Sequence, residues 1–273
     1  MGGTGPRQAS LPLYGLLELR EAKAAFWQAL CVELKRAGVE SVPDALDFAQ
    51  PFVPERIEPQ LLLTQICGYP LKKLFGSQTL VLAAPAYDAD YCEGATHCGV
   101  FVVQREAPYQ RLADLRDCRF VFGGPYSNSG MNLPRRAIAE IAGGAPFFKS
   151  ATETDNQAGN LEVVARGQAD ATCVDNMTYA YVLRYRPQVA ALTRVLATTP
   201  RSPSIPFVTS KETEPATVEC LHRALAEVAT APVWAQARAG LMIRDIVPIE
   251  SASYECLLEY EREAVGLGYP VIC

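Results

Sequence analysis

Hydrophobic residues recur along the chain with two spacings, one typical of helices and one typical of buried strands. The clearest helical pattern lies near the N-terminus, where large side chains are three or four positions apart at Trp27, Leu30, Cys31 and Leu34. Gly38 follows and is a common helix-terminating residue. The pattern predicts an N-terminal helix that packs one face against a core.

Beyond this helix, short apolar runs alternate with further helical patterns. The runs predict strands near Leu80–Ala84, Gly99–Val103, Phe120–Phe122, Ala171–Val174, Val195–Ala197 and Phe207–Thr209. The helical patterns fall near residues 131–142, 157–166, 176–185, 214–229 and 252–266. Alternation over short connections predicts an α/β protein with mostly parallel sheets.

Two extended segments look like crossovers between lobes. Val100–Val103 leads into Pro108 and a new series of strands and helices, and Thr198–Pro203 ends that series with two prolines. We therefore predict one lobe at residues 104–198 and a discontinuous lobe at 1–103 and 199–273. Two crossover strands would form a hinge between them.

Composition narrows the functional classes. At 273 residues the chain can form two lobes with their own cores, and no apolar run approaches the roughly 20 residues that span a bilayer. The net charge is -5 and lysines and arginines are not clustered, which argues against nucleic-acid binding. His97 and His222 lack metal-ligand spacing, so we expect neither a metal nor a cofactor.

The sequence leaves the compartment open. Residues Met1–Ser10 have no signal-peptide pattern, which predicts a cytoplasmic protein if the chain as given is complete. If a signal was removed, we expect a periplasmic or membrane-associated protein. The nine scattered cysteines contain no CxxC pair and favour a reducing compartment, although Cys92 and Cys98 could form a disulfide across a loop.

The segment from Gly123 to Pro134 has the chemistry of a small-anion site. It lies between a predicted strand and a predicted helix, so the unpaired N–H groups of the helix start would point at a ligand. Ser127, Asn128 and Ser129 add short donors, and Gly130 permits close approach. The alternative is a loop that merely caps the helix.

Three residues nearer the N-terminus are further candidates. Gln65 and Tyr69 lie in a strand that breaks into polar residues, where alternation would put them on one face. Tyr14 stands ahead of the first helix. Each could bind a ligand or simply pack in the structure.

Two more candidates lie at predicted strand ends and helix starts. Asn156 opens a second helix that could point at the same ligand, with Asp155 as the expected N-cap. Asp175 ends a buried strand, where α/β sheets commonly bind ligands, but it could equally cap the next helix.

Six short runs occur in a fixed order along nearly the whole chain: Leu-Pro-Leu-Tyr at 11–14, Thr-Gln-Ile-Cys-Gly-Tyr-Pro at 64–70, Cys-Glu-Gly at 92–94, Ser-Asn-Ser-Gly-Met-Asn-Leu-Pro-Arg at 127–135, Gly-Gln-Ala-Asp-Ala at 167–171 and Pro-Phe-Val-Thr at 206–209. In these runs the chain resembles the phosphate/phosphonate-type substrate-binding proteins of ABC transporters. The resemblance implies a two-lobed periplasmic-binding fold of the second type that clamps a small oxyanion between its lobes.

The resemblance also assigns roles to individual residues. Ser127, Asn128, Ser129, Gly130 and Met131 would bind the anion. Tyr14, Gln65 and Tyr69 would close from the opposite lobe, and Asp175 would meet an amino group on the ligand. Since none of these candidate residues is a lysine or an arginine, a ligand of low charge or a zwitterion fits better than a phosphate dianion.

We therefore expect a non-enzymatic, monomeric binding protein that works with an ABC transporter permease. The alternatives are a cytoplasmic ligand sensor and a biosynthetic lyase or synthase on the same fold, because fold does not determine function. For an enzyme, Asp175 as a general base or Cys67 as a nucleophile would be the candidates.

Overall fold

The computed structural model describes residues 6–154 and 156–273, which form two compact units. Unit 1 comprises residues 6–88, Cys92–Thr96 and Pro203–Tyr254, and unit 2 comprises Ala89–Tyr91, His97–Ser202 and Glu255–Cys273 apart from Asp155. The strands are β1 (Gln8–Ala9), β2 (Leu61–Gln65), β3 (Thr79–Tyr87), β4 (Thr96–Gln104), β5 (Arg119–Phe122), β6 (Ser150–Glu153), β7 (Ala171–Asp175), β8 (Thr193–Pro203), β9 (Phe207–Ser210) and β10 (Ile243–Val247).

Helices cover the sheets of both units. They are α1 (Arg20–Arg36), α2 (Gly68–Pro70), α3 (Leu133–Ala142), α4 (Gln157–Ala165), α5 (Asn176–Tyr185), α6 (Pro187–Leu192), α7 (Pro215–Thr230), α8 (Ala235–Gly240) and α9 (Cys256–Gly266). The predicted N-terminal helix is confirmed as α1, and its positions Trp27, Leu30 and Leu34 are fully buried. Within the described part of the chain, no helix is long and apolar enough to cross a membrane.

Unit 1 is built on a five-stranded sheet with the order β1-β2-β9-β3-β10. Only β1 and β2 pair in parallel, while β9 runs antiparallel to both of its neighbours and β10 runs antiparallel to β3. Phe26 of α1 stacks on Phe207 of β9 with the ring centroids 5.8 Å apart, which ties the helix to the sheet. Apolar burial of this kind is the main stabilising contribution.

Unit 2 has a second five-stranded sheet with the order β6-β5-β7-β4-β8. Strand β5 pairs in parallel with β6 and β7, whereas β4 runs antiparallel to β7. Phe120 of β5 stacks on Phe148 with a centroid distance of 4.2 Å. The carboxyl ends of β5 and β7 therefore lie at the same edge of the sheet.

The two-lobed α/β class is confirmed, but the sheets are mixed rather than mostly parallel. The antiparallel strands β4 and β9 are buried on both faces, and such strands have the same continuous apolar pattern as parallel ones. Hydrophobic pattern alone therefore does not reveal their direction.

The boundaries of the units also differ from the predicted ones. Residues 97–103 belong to unit 2 because β4 pairs with β7 from Gly99 opposite Asp175 to Val103 opposite Ala171. Residues 199–202 and the C-terminal segment Glu255–Cys273 also belong to unit 2, where α9 packs on α3. The hinge of two crossover strands stays a prediction.

Candidate functional site

The predicted anion-binding segment, Gly123 to Pro134, lies in unit 2, and we call its residues 123–132 the Ser127 turn. It connects β5 to a wide helical turn at Asn128–Asn132, which continues directly into α3. Ser127 is the N-cap residue, and its Oγ accepts a hydrogen bond from the N–H of Gly130 at 3.0 Å. Pro134 is the second residue of α3, and the carbonyl of Gly130, four residues before it, accepts the N–H of Gly123 instead.

The Ser127 hydroxyl can still donate one hydrogen bond. Its oxygen accepts from Gly130 N–H and also from Nε2 of Gln157, at 3.1 Å. A hydroxyl has two acceptor lone pairs and one donor, so both lone pairs are in use. In the part of the chain that the structure describes, no acceptor takes up the Ser127 proton.

Further donors lie beside this hydroxyl. The N–H groups of Asn128 and Ser129 make no hydrogen bond to any described residue, as expected for the first turn of a helix. The Ser129 hydroxyl likewise has no partner among the described residues, although the residue is only 3% exposed. The turn therefore presents a group of neutral donors.

The Asn128 side chain supports the turn rather than adding a donor to it. Its Nδ2 donates to Oγ of Ser202 at 3.0 Å, and its Oδ1 accepts from Nδ2 of Asn132 at 3.3 Å. Asn132 also donates to the carbonyl of Leu257. Met131 is buried as well. The available donor of Asn128 is thus its backbone N–H.

The space at position 130 is too small for any residue with a side chain. A Cβ atom there would lie 2.7 Å from Oγ of Ser127 and 3.0 Å from Nε2 of Gln157. Both distances are shorter than ordinary van der Waals contact, so any side chain would displace the two groups that organise the turn.

Gln157, at the start of α4, connects the Ser127 turn to the end of β7. Its Nε2 donates to Ser127, and its Oε1 accepts the backbone N–H of Asp175 at 2.7 Å. Sequence reasoning selected its neighbour Asn156 instead. Asn156 is the N-cap of α4 and accepts from Gly159 N–H at 2.9 Å, while the predicted cap, Asp155, lies outside the described residues.

Asp175 is the N-cap residue of α5. Helix capping was one of the two roles that the sequence predicted for it. One carboxylate oxygen accepts the N–H of Met177 at 2.9 Å, and the other lies 2.7 Å from Nδ1 of His97. Both side chains are 2% exposed. Sequence reasoning did not associate His97 with the site, because the two residues are 78 positions apart.

The floor of the Ser127 turn is formed by β7. The thiol of Cys173 donates to the carbonyl of Ser129 over 3.4 Å. Complete burial raises the pKa of this thiol well above its ordinary value, which keeps it protonated and able to donate. Cys92 and Cys98, whose pairing the sequence left open, are both thiols in the structure.

The three candidates nearer the N-terminus lie in unit 1 and are almost completely buried. Gln65 ends β2 opposite Phe207. Tyr69 lies in α2, and its hydroxyl accepts from Nζ of Lys73 at 3.1 Å. Tyr14 packs edge-on against Tyr87. Of the three, only Tyr14 has a positive φ, at 56°.

The backbone at Tyr14 is held by a buried lysine. Nζ of Lys23 donates to the carbonyls of Leu13 and Tyr14 at 2.6 and 3.1 Å. Burial lowers the pKa of Lys23 to about 8 from its usual 10.5. These two bonds help to hold Tyr14 in its left-handed conformation.

Similar folds occur among solved structures. A binding protein component of an ABC phosphonate transporter from Pseudomonas aeruginosa matches with a TM-score of 0.76 and 13% identity, over 96% of this chain and 87% of its own. PhnD1 from Prochlorococcus marinus, solved with methylphosphonate, matches with a TM-score of 0.72 and 16% identity, over 94% and 97%. A Xanthomonas citri protein bound to ATP matches at 0.68 and 12% identity, over 96% and 98%.

The similarities to solved structures show the fold, and a match to a family model shows the family. No curated protein matches the sequence. The model of the ABC transporter phosphonate periplasmic substrate-binding proteins matches residues 71–254, a range that includes the Ser127 turn, Gln157 and Asp175. Because the match covers more than half of the chain, this protein belongs to the family of phosphonate periplasmic substrate-binding proteins of ABC transporters.

Proposed function

We propose that the protein binds a small oxyanion-bearing ligand of the phosphonate class at the Ser127 turn, as the solute-binding component of an ABC-type uptake system. The observation that carries the proposal is the Ser127 hydroxyl. Both of its lone pairs are occupied and its proton has no acceptor among the described residues, so it is prepared to donate and not to accept. An anionic oxygen is the partner that this arrangement favours.

The number of donors is sufficient for useful affinity. Two hydroxyls and two N–H groups, from Ser127, Asn128 and Ser129, face no acceptor among the described residues. A hydrogen bond to a charged group contributes about 1.5 to 3 kcal/mol, and a helix start adds up to about 2 kcal/mol when partly buried. After association costs, the total is compatible with micromolar binding, near -8 kcal/mol.

The proposal extends to the remaining candidate residues. Gly130 and Met131 shape the turn, and Asn156 and Gln157 hold the start of α4. Tyr14, Gln65 and Tyr69 contribute ligand contacts, as the sequence resemblance implies. The protein acts as a monomer without a cofactor, in the periplasm, and delivers its ligand to a permease.

Calorimetric titration tests the function directly. Methylphosphonate is the first probe, followed by phosphate, phosphite and methanesulfonate. The variant carrying Ser127→Ala and Ser129→Ala is expected to lose roughly 100-fold or more in affinity for methylphosphonate, because two charge-assisted hydrogen bonds disappear. Ser77→Ala, an exposed serine in unit 1, is the control.

Two outcomes would contradict the proposal. If the double variant and the unmodified protein bind methylphosphonate with equal affinity, the Ser127 turn does not form part of the binding site. Phosphorus NMR of the recovered ligand should show unaltered methylphosphonate, and its conversion to a product would indicate an enzyme instead.

A further inference from the structure

Both carboxylate oxygens of Asp175 already take part in a hydrogen bond within the protein. One oxygen accepts from Met177 N–H and the other is 2.7 Å from His97 Nδ1. We assign Nδ1–H of His97 as the donor in this contact and the Asp175 oxygen as the acceptor. Among residues 6–154 and 156–273, Asp175 is the only hydrogen-bond partner of the His97 side chain.

The His97–Asp175 pair adjoins the Ser127 turn. Gly99 lies opposite Asp175 in the β4–β7 ladder, and a Cβ at Gly99 would come within 2.8 Å of the Ser129 carbonyl. Side chains of directly opposed residues share a face of the sheet, and His97 is two positions before Gly99 on that same face. Gln157 adds a second connection, from the Asp175 N–H to the Ser127 hydroxyl.

We propose that His97 sets the ligand class of this site. By occupying the Asp175 carboxylate, it makes the site select phosphonates and related oxyanions that carry no amino group, over aminoalkyl phosphonates. This inference rests on the proposed function, and it assigns to His97 a positioning and specificity role.

The selectivity has two electrostatic causes. A ligand ammonium group would compete with a buried imidazole for the Asp175 carboxylate, and displacing the imidazole would leave its Nδ1–H without a partner. An isolated carboxylate near the turn would repel an anionic head group, and the His97 donor offsets that repulsion. Removing His97 is therefore expected to lower the affinity for phosphonates without an amino group and to raise the affinity for aminoalkyl phosphonates.

The test compares methylphosphonate with 2-aminoethylphosphonate by calorimetry. The unmodified protein is expected to bind methylphosphonate at least about tenfold more tightly. His97→Ala should weaken methylphosphonate binding by about tenfold or more and should reduce or invert the preference. His97→Asn, whose amide can still donate to Asp175, should retain most of the preference for methylphosphonate. His222→Ala, at an exposed histidine of α7, is the matched control.

The outcomes separate the inference from the proposed function. If the unmodified protein binds 2-aminoethylphosphonate as tightly as methylphosphonate, the inference is wrong while the function stands. A folded His97→Ala protein with an unchanged preference would also overturn the inference. If the unmodified protein binds neither probe, both the proposed function and the inference fail. The comparison on the unmodified protein needs no variant to fold.

Discussion

Gln157 donates a hydrogen bond from Nε2 to Oγ of Ser127 over 3.1 Å, and this contact determines which way the serine hydroxyl can act. Because Gly130 N–H occupies the second lone pair, the Ser127 proton must point away from both donors. In the proposed binding site, a residue of α4 thus prepares a residue of the preceding turn to bind an anion. The preparation costs nothing at the moment of binding, which is the benefit of preorganisation.

Gln157→Glu is expected to turn the Ser127 proton away from the ligand with almost no change in the shape of the side chain at position 157. The new carboxylate can still accept the Asp175 N–H, but it cannot donate to Ser127, so the Ser127 proton turns toward it. The site loses a donor and gains a negative charge. We expect roughly 10- to 100-fold weaker methylphosphonate binding by calorimetry, with the thermal midpoint changed by a few degrees at most.

Gln168→Glu is the control for the added charge. Gln168 is exposed and lies just after α4 in the same unit. Its substitution should leave methylphosphonate affinity within about twofold of the unmodified protein, since an exposed charge is largely screened. Equal losses in both variants would attribute the effect to net charge and not to the Ser127 contact.

Gly130→Ala tests the shape of the turn. The added methyl group would lie 2.7 Å from Oγ of Ser127, and one of the two must move. We expect a loss of about 1 to 3 kcal/mol in unfolding free energy, measured by urea denaturation, together with weaker methylphosphonate binding. Gly266→Ala, in the last turn of α9, has open space around its new methyl group and serves as the control. A fully stable Gly130→Ala protein with normal affinity would show that the turn is not tightly packed.

How much of this site the sequence predicts depends on how far apart its residues are. Ser127, Gly130 and Pro134 are close neighbours, so strand, cap and helix start could be inferred from local rules. The Asp175–His97 contact depends on the antiparallel register of β4 and β7, which no local pattern reveals. Capping preferences favour short side chains such as Asn156 and so do not point to Gln157.

The fold shows the same limit. Helix α1 was predictable because a 3.6-residue period identifies a helix directly. The direction of β4 and β9 was not, because a strand buried on both faces is apolar whichever way it runs. The placement of residues 255–273 in unit 2 rests on packing of α9 against α3, which is a tertiary contact.

Lys23 gives unit 1 a stability that depends on pH. Its pKa is about 8 in the folded protein, where burial opposes the charged form, and near its usual 10.5 in the unfolded chain. Between these values the unfolded chain binds more protons, so the lysine makes the free energy of unfolding rise with pH. Its favourable contribution is complete above 10.5 and is lost as the pH falls through about 8.

Lys23→Met removes this titration and permits a direct measurement. We expect the stability of the unmodified protein, relative to the variant, to increase by up to about 3 kcal/mol between pH 8 and 10.5 in urea denaturation. Thiols and tyrosines that titrate in the same range are present in both proteins and cancel in the difference. Lys211→Met, at an exposed lysine of unit 1, should show no such slope. A difference between the unmodified protein and Lys23→Met that stays constant with pH would mean that Lys23 keeps an ordinary pKa despite its burial.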